Sequence, residues 1–421
     1  MSNFELTEDQ KSALVEFTKF LVTPNEKYLI IQGAAGSGKS TLIKYLVKTL
    51  EAQYRMYALL LRKDKTQSDF EVSLTATTNK AVAVLSDLTR MEAMTIHSLL
   101  KLTVLPNLAT GEIRLTRKRD YCLLYNKLII VDESSMINDD LFRILDETTI
   151  DCKIILIGDK YQLAPVKQKI SVMETIVCPK VTMNKVMRHS GNILQVASQF
   201  RETVETGVFK NIPDHPELVK VDGPEFQRLI DEAFTSKDYS LNSAKVLAWT
   251  NQKVLNYNKH IRKIKGYSEE FKVGETVYTN KPIMLGNKRW STDAQIKVTD
   301  VGPVIYKDGL NGRFIELDHK TSAFLPDSQF EAKNILKVLA KQKNWTKFYG
   351  FKDGWLDLRP AYASTIHKSQ GDQFNYVFID LSDIGRCNIQ SDVARMLYVS
   401  ISRSSKQIYF YGELPFKYSG D

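Results

Sequence analysis

The sequence has few of the features that mark disulfide-stabilised, membrane or fibrous proteins. Its 4 cysteines in 421 residues are far apart and form no C-x-x-C pair, so neither a disulfide framework nor a zinc site is indicated. The longest apolar runs, such as residues 128–131, are strand-sized, well below the ~18 residues of a membrane span. The first residues lack the pattern of a signal peptide. We therefore expect a globular protein that does not cross a membrane and that acts in the cytoplasm.

Charge and length set only broad limits on function. The chain has 58 Lys and Arg against 49 Asp and Glu, a net charge of +9, which permits a polyanionic partner without requiring one. Hydrophobic residues make up 43% and charged residues 25%, as in ordinary globular proteins. At roughly 150 residues per domain, the length corresponds to about three structural units. No internal repeat or low-complexity segment is visible in the sequence.

Short apolar, β-rich runs alternate with turns and helical patterns along the chain. Such alternation predicts an α/β fold of parallel sheets flanked by helices. The predicted strands are residues 28–32, 72–76, 128–131, 154–157, 246–249, 376–380 and 408–411. Because four strands precede residue 160 and three follow residue 245, we expect two α/β domains with a cleft between them.

Two segments interrupt this alternation. Residues 102–120 contain a proline, a glycine and several basic residues, which indicates a hairpin or, equally, a solvated loop. Residues 271–351 begin with five glycines between short alternating segments and end in a stretch rich in lysines and aromatics. This pattern predicts a small β-barrel-like insert.

The strongest single motif lies between the first predicted strand and the following helical pattern. The segment from Gly33 to Ser40 satisfies G-x-x-x-x-G-K-[ST], a loop whose backbone N–H groups wrap phosphates. Lys39 reaches the terminal phosphates, and Ser40 binds Mg²⁺. The predicted nucleotide-binding residues are Gly33, Ala34, Ala35, Gly36, Ser37, Gly38, Lys39, Ser40 and Thr41.

Two carboxylates follow the third predicted strand, where an Mg²⁺ partner is expected. Asp132 would hold the metal together with Ser40, and Glu133 would activate the attacking water as a general base. The alternative is a solvated turn. The residues alone therefore predict a Mg²⁺-dependent nucleoside triphosphatase.

Four further motifs occur in a fixed order: residues 132–136 (Asp-Glu-Ser-Ser-Met), 158–165 (Gly-Asp-Lys-Tyr-Gln-Leu-Ala-Pro), 364–371 (Ser-Thr-Ile-His-Lys-Ser-Gln-Gly) and 397–403 (Leu-Tyr-Val-Ser-Ile-Ser-Arg). In this order they resemble the signature of superfamily 1 helicases, in particular the RecD-like 5′-to-3′ branch. The resemblance implies two RecA-like domains with a pin-like insert in the first and a small SH3-like β-barrel in the second. The implied boundaries are 1–168 with the pin at 102–120, 169–270 together with 352–421, and 271–351 for the barrel and its Lys/aromatic-rich segment.

The resemblance also implies roles for individual residues. Gln10 would read the adenine, Gln162 would sense the γ-phosphate, and Gln370 and Gly371 would also touch the nucleotide. Arg188 and Arg403 would reach the cleft from the second domain, where guanidinium groups neutralise the charge of a phosphoryl-transfer transition state. The catalytic set is then Lys39, Asp132, Glu133, Gln162, Arg188 and Arg403.

The same resemblance points to a track for nucleic acid at the ends of the strands. Short polar side chains there would grip backbone phosphates without reading sequence. The implied residues are Thr77, Thr78, Asn79, Lys80 and His97 on the first domain, and Thr250, Asn251, Ser364, Thr365 and His367 on the second. Helix capping is the alternative for the threonines, serine and asparagines, and burial in a core is the alternative for the histidines.

The implied function is an ATP-dependent DNA helicase that moves 5′ to 3′ on single-stranded DNA and unwinds tailed duplexes. A monomer would suffice, and replication or recombination proteins, as in phages, are implied partners. Two alternatives remain: an RNA helicase or remodelling ATPase of the same superfamily, and a nucleotide-switched binding protein that does not move. Residues 51–71 form an extra excursion to which no role is assigned.

Overall fold

The computed structural model describes residues 6–60, 70–106, 113–163, 171–187, 191–268, 270–285, 288–290, 292–318 and 321–420. Within these ranges no helix is long and apolar enough to span a membrane.

The elements up to residue 187 alternate strand and helix, as the sequence predicts. The strands are β1 (Tyr28–Gly33), β2 (Glu71–Ala76), β3 (Ala93–Thr95), β4 (Leu102–Pro106), β5 (Ile113–Arg117), β6 (Leu124–Tyr125), β7 (Lys127–Asp132), β8 (Thr149–Ile150), β9 (Lys153–Gly158) and β10 (Lys180–Met183). The helices are α1 (Glu8–Val22), α2 (Lys39–Leu60), α3 (Asn79–Thr89), α4 (Ile96–Leu99), α5 (Asp139–Thr148) and α6 (Val172–Thr175).

Six of these strands form one parallel sheet in the order β10-β1-β9-β7-β2-β3. Successive residues of each strand face opposite sides. On one side Ile31 and Ile155 pack against α1 and α2, and on the other Ile129 and Leu156 pack against α5. Burial on both faces explains the unbroken apolar runs, and it leaves the polar motif residues at the carboxyl ends of the strands.

The elements after residue 190 complete the fold. The strands are β11 (Leu218–Val221), β12 (Ala244–Ala248), β13 (Thr276–Thr279), β14 (Ile283–Leu285), β15 (Lys288–Trp290), β16 (Gln295–Val301), β17 (Ile305–Lys307), β18 (Leu310–Leu317), β19 (Thr321–Pro326), β20 (Leu358–Pro360), β21 (Ala363–Thr365), β22 (Phe374–Asp380) and β23 (Ser404–Tyr411). The helices are α7 (Gly191–Thr206), α8 (Gly223–Thr235), α9 (Asn251–Ile264), α10 (Gln329–Lys341), α11 (Trp345–Gly354), α12 (Leu381–Ile384) and α13 (Gln390–Ile401). Short 3₁₀ turns occupy Ser134–Met136, Ile366–Ser369 and Phe416–Tyr418.

A second parallel sheet has the order β11-β23-β22-β12-β21. Its strands are buried between α7 and α13 on one side and α8 and α9 on the other. The prediction of an α/β fold with two parallel sheets is thus confirmed. The first sheet also takes in β10, which lies beyond residue 168, where the sequence suggested that the first domain ends.

Two antiparallel units interrupt the parallel sheets. Strands β4 and β5 pair as a hairpin over residues 102–106 and 113–117. Strands β17, β18, β16, β13 and β20 form an antiparallel sheet, with β19 paired to β18, around a core of its own. Because β20 pairs with β13, this sheet extends past residue 351, the expected end of the insert.

Candidate nucleotide cleft and nucleic-acid groove

The loop between β1 and α2 is a tight backbone cradle. Gly36 and Gly38 have positive φ angles of 80° and 85°, which favour glycine because it has no Cβ. A Cβ on Gly33 would lie 2.5 Å from Ser37 Oγ, so the turn also needs glycine at its start. Ser40 and Thr41 are half-buried in the first turn of α2. The predicted P-loop residues therefore lie together at a helix N-terminus, where anions bind.

Lys39 lies back over this loop. Its Nζ donates to the carbonyl oxygens of Gly33 at 2.7 Å and Ala34 at 3.0 Å, and the side chain is 9% exposed. Two backbone carbonyl oxygens therefore stabilise the charge of the buried ammonium. Polyphosphate oxygens would compete for the same donors, since charge-assisted hydrogen bonds are the stronger ones.

Asp132 and Glu133 lie at the end of β7, in the same sheet as β1. Asp132 is buried, and its Oδ1 accepts from the Glu133 N–H at 2.9 Å. Burial, with the neighbouring Glu133 charge, raises the pKa of Asp132 to about 6, while Lys39 opposes the shift. Glu133 has a φ of 52°, and its Oε2 is buried without a hydrogen-bond partner. The structure thus places Lys39 within electrostatic range of the predicted metal ligand.

The loop after β9 carries the predicted γ-phosphate sensor. Gln162 is 3% exposed and its Oε1 has no hydrogen-bond partner. The loop is bent by Asp159, whose Oδ1 accepts from the Tyr161 N–H at 3.0 Å and whose backbone carbonyl accepts from the Gln162 N–H at 3.2 Å. Because β9 lies between β1 and β7, this loop adjoins both the cradle and the carboxylates.

The second sheet contributes Arg403 to the same region. Its guanidinium is buried and donates to Val399 O at 3.0 Å, Ser402 Oγ at 2.8 Å and Asp372 O at 3.2 Å. Burial lowers the pKa of Arg403, and the charge of Glu133 counters the shift. A predicted base on the first sheet and a predicted arginine on the second are thus electrostatic neighbours. The other predicted arginine, Arg188, lies outside the described residues.

Gln10 contacts the P-loop, and the Gln370-Gly371 loop directly precedes Asp372, whose carbonyl accepts from Arg403. Gln10 is 1% exposed, and its Nε2 donates to the Gly38 carbonyl at 3.3 Å. Its Oε1 accepts from the Thr7 N–H, which closes a capping box on α1. Gln370 Nε2 is buried without a partner, and Gly371 has a φ of 80° with open space around it.

Four residues of the predicted cleft carry buried polar atoms without a hydrogen-bond partner. Buried side-chain oxygens and nitrogens without partners are rare and costly in folded proteins. Among the described residues 13 such atoms occur, and four of them belong to the predicted cleft, on Ser37, Glu133, Gln162 and Gln370. Hydroxyl and amide donors suit phosphate oxygens, and carboxylate and amide acceptors suit water or metal-bound water. The donor set present therefore fits ATP with Mg²⁺, the latter on Ser40 and Asp132.

The predicted nucleic-acid residues of the first sheet include one helix cap, Thr78. Thr78 Oγ1 accepts from the Ala81 N–H at the start of α3, and Thr77 Oγ1 donates to the Glu133 carbonyl at 3.1 Å. Asn79 and Lys80 are exposed in the first turn of α3, and Lys80 forms an ion pair with Asp372. His97 is half-buried on α4, and burial lowers its pKa.

The second sheet offers the other half of the predicted track. Thr250 caps α9 and donates to Asp383 at 2.8 Å, so its hydroxyl already has a structural use. Asn251 and His367 are exposed, and Thr365 is buried. Ser364 Oγ is buried without a partner. The capping alternative thus describes Thr78 and Thr250, whereas Asn251 and Ser364 have no such contact among the described residues.

A groove with an empty volume of about 660 Å³ joins these residues across three units of the fold. The groove is lined by Lys80, Asn251, Ser364 and Thr365. Tyr278 and Arg359 of the antiparallel sheet also line it. Lys245 lines its floor at 3% exposure and donates to Ala361 O at 2.7 Å. Burial and the Lys80 charge lower the pKa of Lys245 to about 7. Four basic residues line the groove against two acidic ones, Asp293 and Asp372, and the groove is open to solvent.

Comparison with known proteins agrees with this geometry. An AAA domain family model matches residues 20–168, and a UvrD-like helicase C-terminal domain model matches residues 360–411. The chain is 25% identical, over 96% of its length and 99% of the relative's, to the ATP-dependent DNA helicase dda of Enterobacteria phage T4. It is also 22% identical to the RecBCD enzyme subunit RecD of Buchnera aphidicola, over 92% of this chain and 71% of that subunit.

The chain is thus similar to DNA helicases along most of its length. Solved structures share its fold. A structure of Pif1 helicases at forked double-stranded DNA is 17% identical in sequence and superposes with a TM-score of 0.53, and the match covers 99% of this chain and 94% of that one. A Bacteroides Pif1 helicase with ADP-AlF3 and single-stranded DNA gives 17% identity and a TM-score of 0.51 over the same shares.

Some residues beside the cleft were not singled out from the sequence. Arg201 on α7 lines a pocket of about 230 Å³ beside Gly33 and Asp159. On α13, Arg395 and Tyr398 contact loops of the first sheet. The i, i+3 spacing of these two side chains on a predicted helix is a signal that they share a face, but the sequence does not reveal what that face contacts.

Proposed function

We propose that this protein is an ATP-dependent DNA helicase that moves 5′ to 3′ along single-stranded DNA and unwinds duplex DNA. The observation that carries the proposal is a physical link between groove and cleft. Lys80 of the groove pairs with Asp372, and the carbonyl of Asp372 accepts from Arg403 of the cleft. A strand phosphate that competes for Lys80 would thus act on the loop that holds the arginine. The relative from phage T4 is named an ATP-dependent DNA helicase, which supports the assignment.

In this proposal the chain's own residues divide the work of hydrolysis. The P-loop amides and Lys39 bind the phosphates, and Ser40 and Asp132 hold Mg²⁺, which supplies neutralising charge when bound. Glu133 accepts the proton of the attacking water, and Gln162 orients that water against the γ-phosphorus. Arg403, with Arg188, stabilises the charge as the bond to the bridging oxygen breaks and ADP and phosphate are released. Gln10, Gln370 and Gly371 hold the rest of the nucleotide.

The two parallel sheets act as the two grips of the motor. We assign the first parallel sheet, with β10, and the second parallel sheet to the two RecA-like domains, and residues 271–351, with β20, to the SH3-like barrel and its Lys/aromatic segment. The bounds 1–168, and 169–270 with 352–421, shift accordingly. The β4–β5 hairpin within residues 102–120 is assigned to strand separation. Closure on ATP and reopening after hydrolysis move the two phosphate-gripping surfaces relative to each other. A monomer suffices for this cycle, which serves DNA replication or recombination in the cytoplasm.

Unwinding of tailed duplexes tests this proposal. Duplexes carrying only a 5′ tail or only a 3′ tail are incubated with ATP and Mg²⁺, with Lys39→Ala as the inactive control. We expect unwinding of the 5′-tailed duplex alone and no ATP turnover by the control. Preference for the 3′ tail would overturn the direction, and turnover by the control would overturn the P-loop assignment.

A second measurement separates the alternatives. ATP hydrolysis is compared with single-stranded DNA, with RNA and without nucleic acid. Stimulation by DNA is the expected result. Stronger stimulation by RNA would favour an RNA helicase of the same superfamily. Absence of any stimulation, together with tight binding of the strand, would favour a nucleotide-switched binding protein.

A further inference from the structure

Helix α13 of the second sheet presents two polar side chains to the first sheet. Arg395 and Tyr398 are three residues apart and therefore lie on one face of the helix. Tyr398 is 1% exposed, in a helix that is buried along most of its length. Ala35 and Leu163 of the first sheet's loops belong to the same apolar core as this helix. The two halves of the protein thus share a packed contact at this point.

The Tyr398 hydroxyl bridges two loops of the first sheet. It donates to Asp159 Oδ2 at 2.6 Å and accepts from the Ala35 N–H at 2.9 Å. Burial and the Asp159 charge raise the pKa of Tyr398 well above its usual value, so the hydroxyl remains a donor at working pH. The P-loop and the loop after β9, which carries Gln162, are thus both bonded to one hydroxyl oxygen of α13.

Arg395, one turn earlier on α13, also bonds to the loop after β9. Its Nη1 donates to the backbone carbonyl of Gln162 at 2.8 Å and to that of Lys160. The residue that senses the γ-phosphate therefore has its backbone held by the second sheet's helix. Any opening of the cleft between the halves must break these contacts or move the loops with α13.

We propose that Tyr398 is a positioning residue that ties closure of the cleft to ATP hydrolysis by holding Ala35 and Asp159 against α13. This inference rests on the proposed function, because it assigns Tyr398 to the same ATPase cycle. The Ala35 amide is one of the groups expected around the phosphates, and Asp159 shapes the loop of Gln162. Correct placement of such groups is decisive for rate, since small displacements of catalytic groups slow reactions steeply.

The chain offers a matched control for the loss of this hydroxyl. Tyr257 on α9 donates to the buried Asp380 at 2.8 Å, a Tyr–Asp hydrogen bond that lies entirely within the second half of the protein. Tyr257→Phe and Tyr398→Phe therefore remove the same chemical group and the same kind of bond. Only Tyr398→Phe removes a contact across the cleft.

The experiment measures ATP hydrolysis by both variants with saturating oligothymidylate, together with thermal unfolding and the ATP consumed per base pair unwound. For Tyr398→Phe we expect kcat to fall about tenfold, KM for ATP to stay within threefold, and ATP consumption per base pair to rise. Tyr257→Phe should lower the unfolding temperature by a similar amount and leave kcat within twofold. Arg395→Met should lower kcat in the same direction as Tyr398→Phe.

Two results with the variants would overturn the inference. A folded Tyr398→Phe with kcat within twofold of the wild type would show that the bridge does not affect the reaction. Equal losses of kcat in the two Tyr→Phe variants would show that Tyr398 is merely structural. An active ATPase that fails to unwind either tailed duplex would contradict the proposed helicase function while leaving the kcat comparison valid. A wild-type chain without ATP turnover would overturn both.

Discussion

Replacement of Arg403 by lysine separates the arginine's chemical role from its structural one. The guanidinium is 1% exposed and uses three acceptors, the carbonyls of Val399 and Asp372 and the Ser402 hydroxyl. All three belong to the second half of the protein, so the charge is oriented before the reaction begins. Lysine keeps the charge but not the planar fork that reaches several acceptors at once.

The expected effect on rate follows from the transition state. Arginines that neutralise a transferring phosphoryl group contribute about 10³–10⁵ to kcat. Because lysine retains the positive charge, we expect a loss near the lower end, about 10³, which corresponds to about 4 kcal/mol at 1.36 kcal/mol per tenfold. KM for ATP should change far less, since the arginine acts on charge that develops during the reaction.

The expected effect on stability follows from the three hydrogen bonds. An ammonium at this position would leave about two buried acceptors unpaired, at about 1–3 kcal/mol each. The variant should therefore unfold at a lower temperature yet remain folded at 25 °C. Binding of a fluorescent ATP analogue reports whether the cleft is intact when kcat is measured.

The assay is steady-state ATP hydrolysis with saturating single-stranded DNA. Arg386→Lys is the matched control, because Arg386 is 65% exposed in its side chain and its ion pair with Asp383 is 3.5 Å long. This control should keep kcat within twofold. If Arg403→Lys binds the analogue normally and hydrolyses ATP within tenfold of the wild type, the assignment of Arg403 to the transition state is refuted.

Two further predictions concern Glu133 and Lys245. Glu133→Gln should lower kcat about 10²–10⁴-fold, as expected for loss of a general base, while ATP still binds. Single-turnover hydrolysis measures the rate of the chemical step, and a near-normal rate would exclude Glu133 as the base. Lys245 has a pKa of about 7 in the folded chain against an ordinary value of 10.5, so folding releases its proton and stability rises with pH, by about 2 kcal/mol between pH 6 and 8.5. Lys245→Met should lack this pH-dependent gain in stability, which unfolding temperatures of the wild type and the variant at pH 6 and 8.5 would show. An identical pH dependence in the two proteins would contradict the lowered pKa of Lys245.

Local sequence patterns predicted much of the fold and of the nucleotide cleft. Apolar runs bounded by turn residues give seven of the eleven strands of the two parallel sheets, because burial on both faces requires unbroken apolar residues. The glycines around Lys39 identify the P-loop from sequence alone, since only glycine tolerates that backbone. Polar residues directly after apolar strands, such as Asp132, lie at the carboxyl edge of the sheet for topological reasons.

Other features had no local signal. Strands β10 and β21 are four and three residues long, too short for a periodic pattern to identify. Thr78 and Thr250 could be read as phosphate contacts or as helix caps, and only the structure shows their hydroxyls in caps. The pairing of Lys80 with Asp372 joins residues far apart in the chain, where sequence spacing carries no information.

The sequence by itself determined the phosphate cradle and the two carboxylates of the first half, and its helicase-like motifs pointed to an arginine in the second. Only the tertiary structure decided how the halves are joined. The Tyr398 hydroxyl meets the Ala35 amide across 363 residues and Asp159 across 239. Local patterns cannot specify such contacts, because they depend on how two separately built sheets pack against each other. The link between cleft and groove arises in the same way.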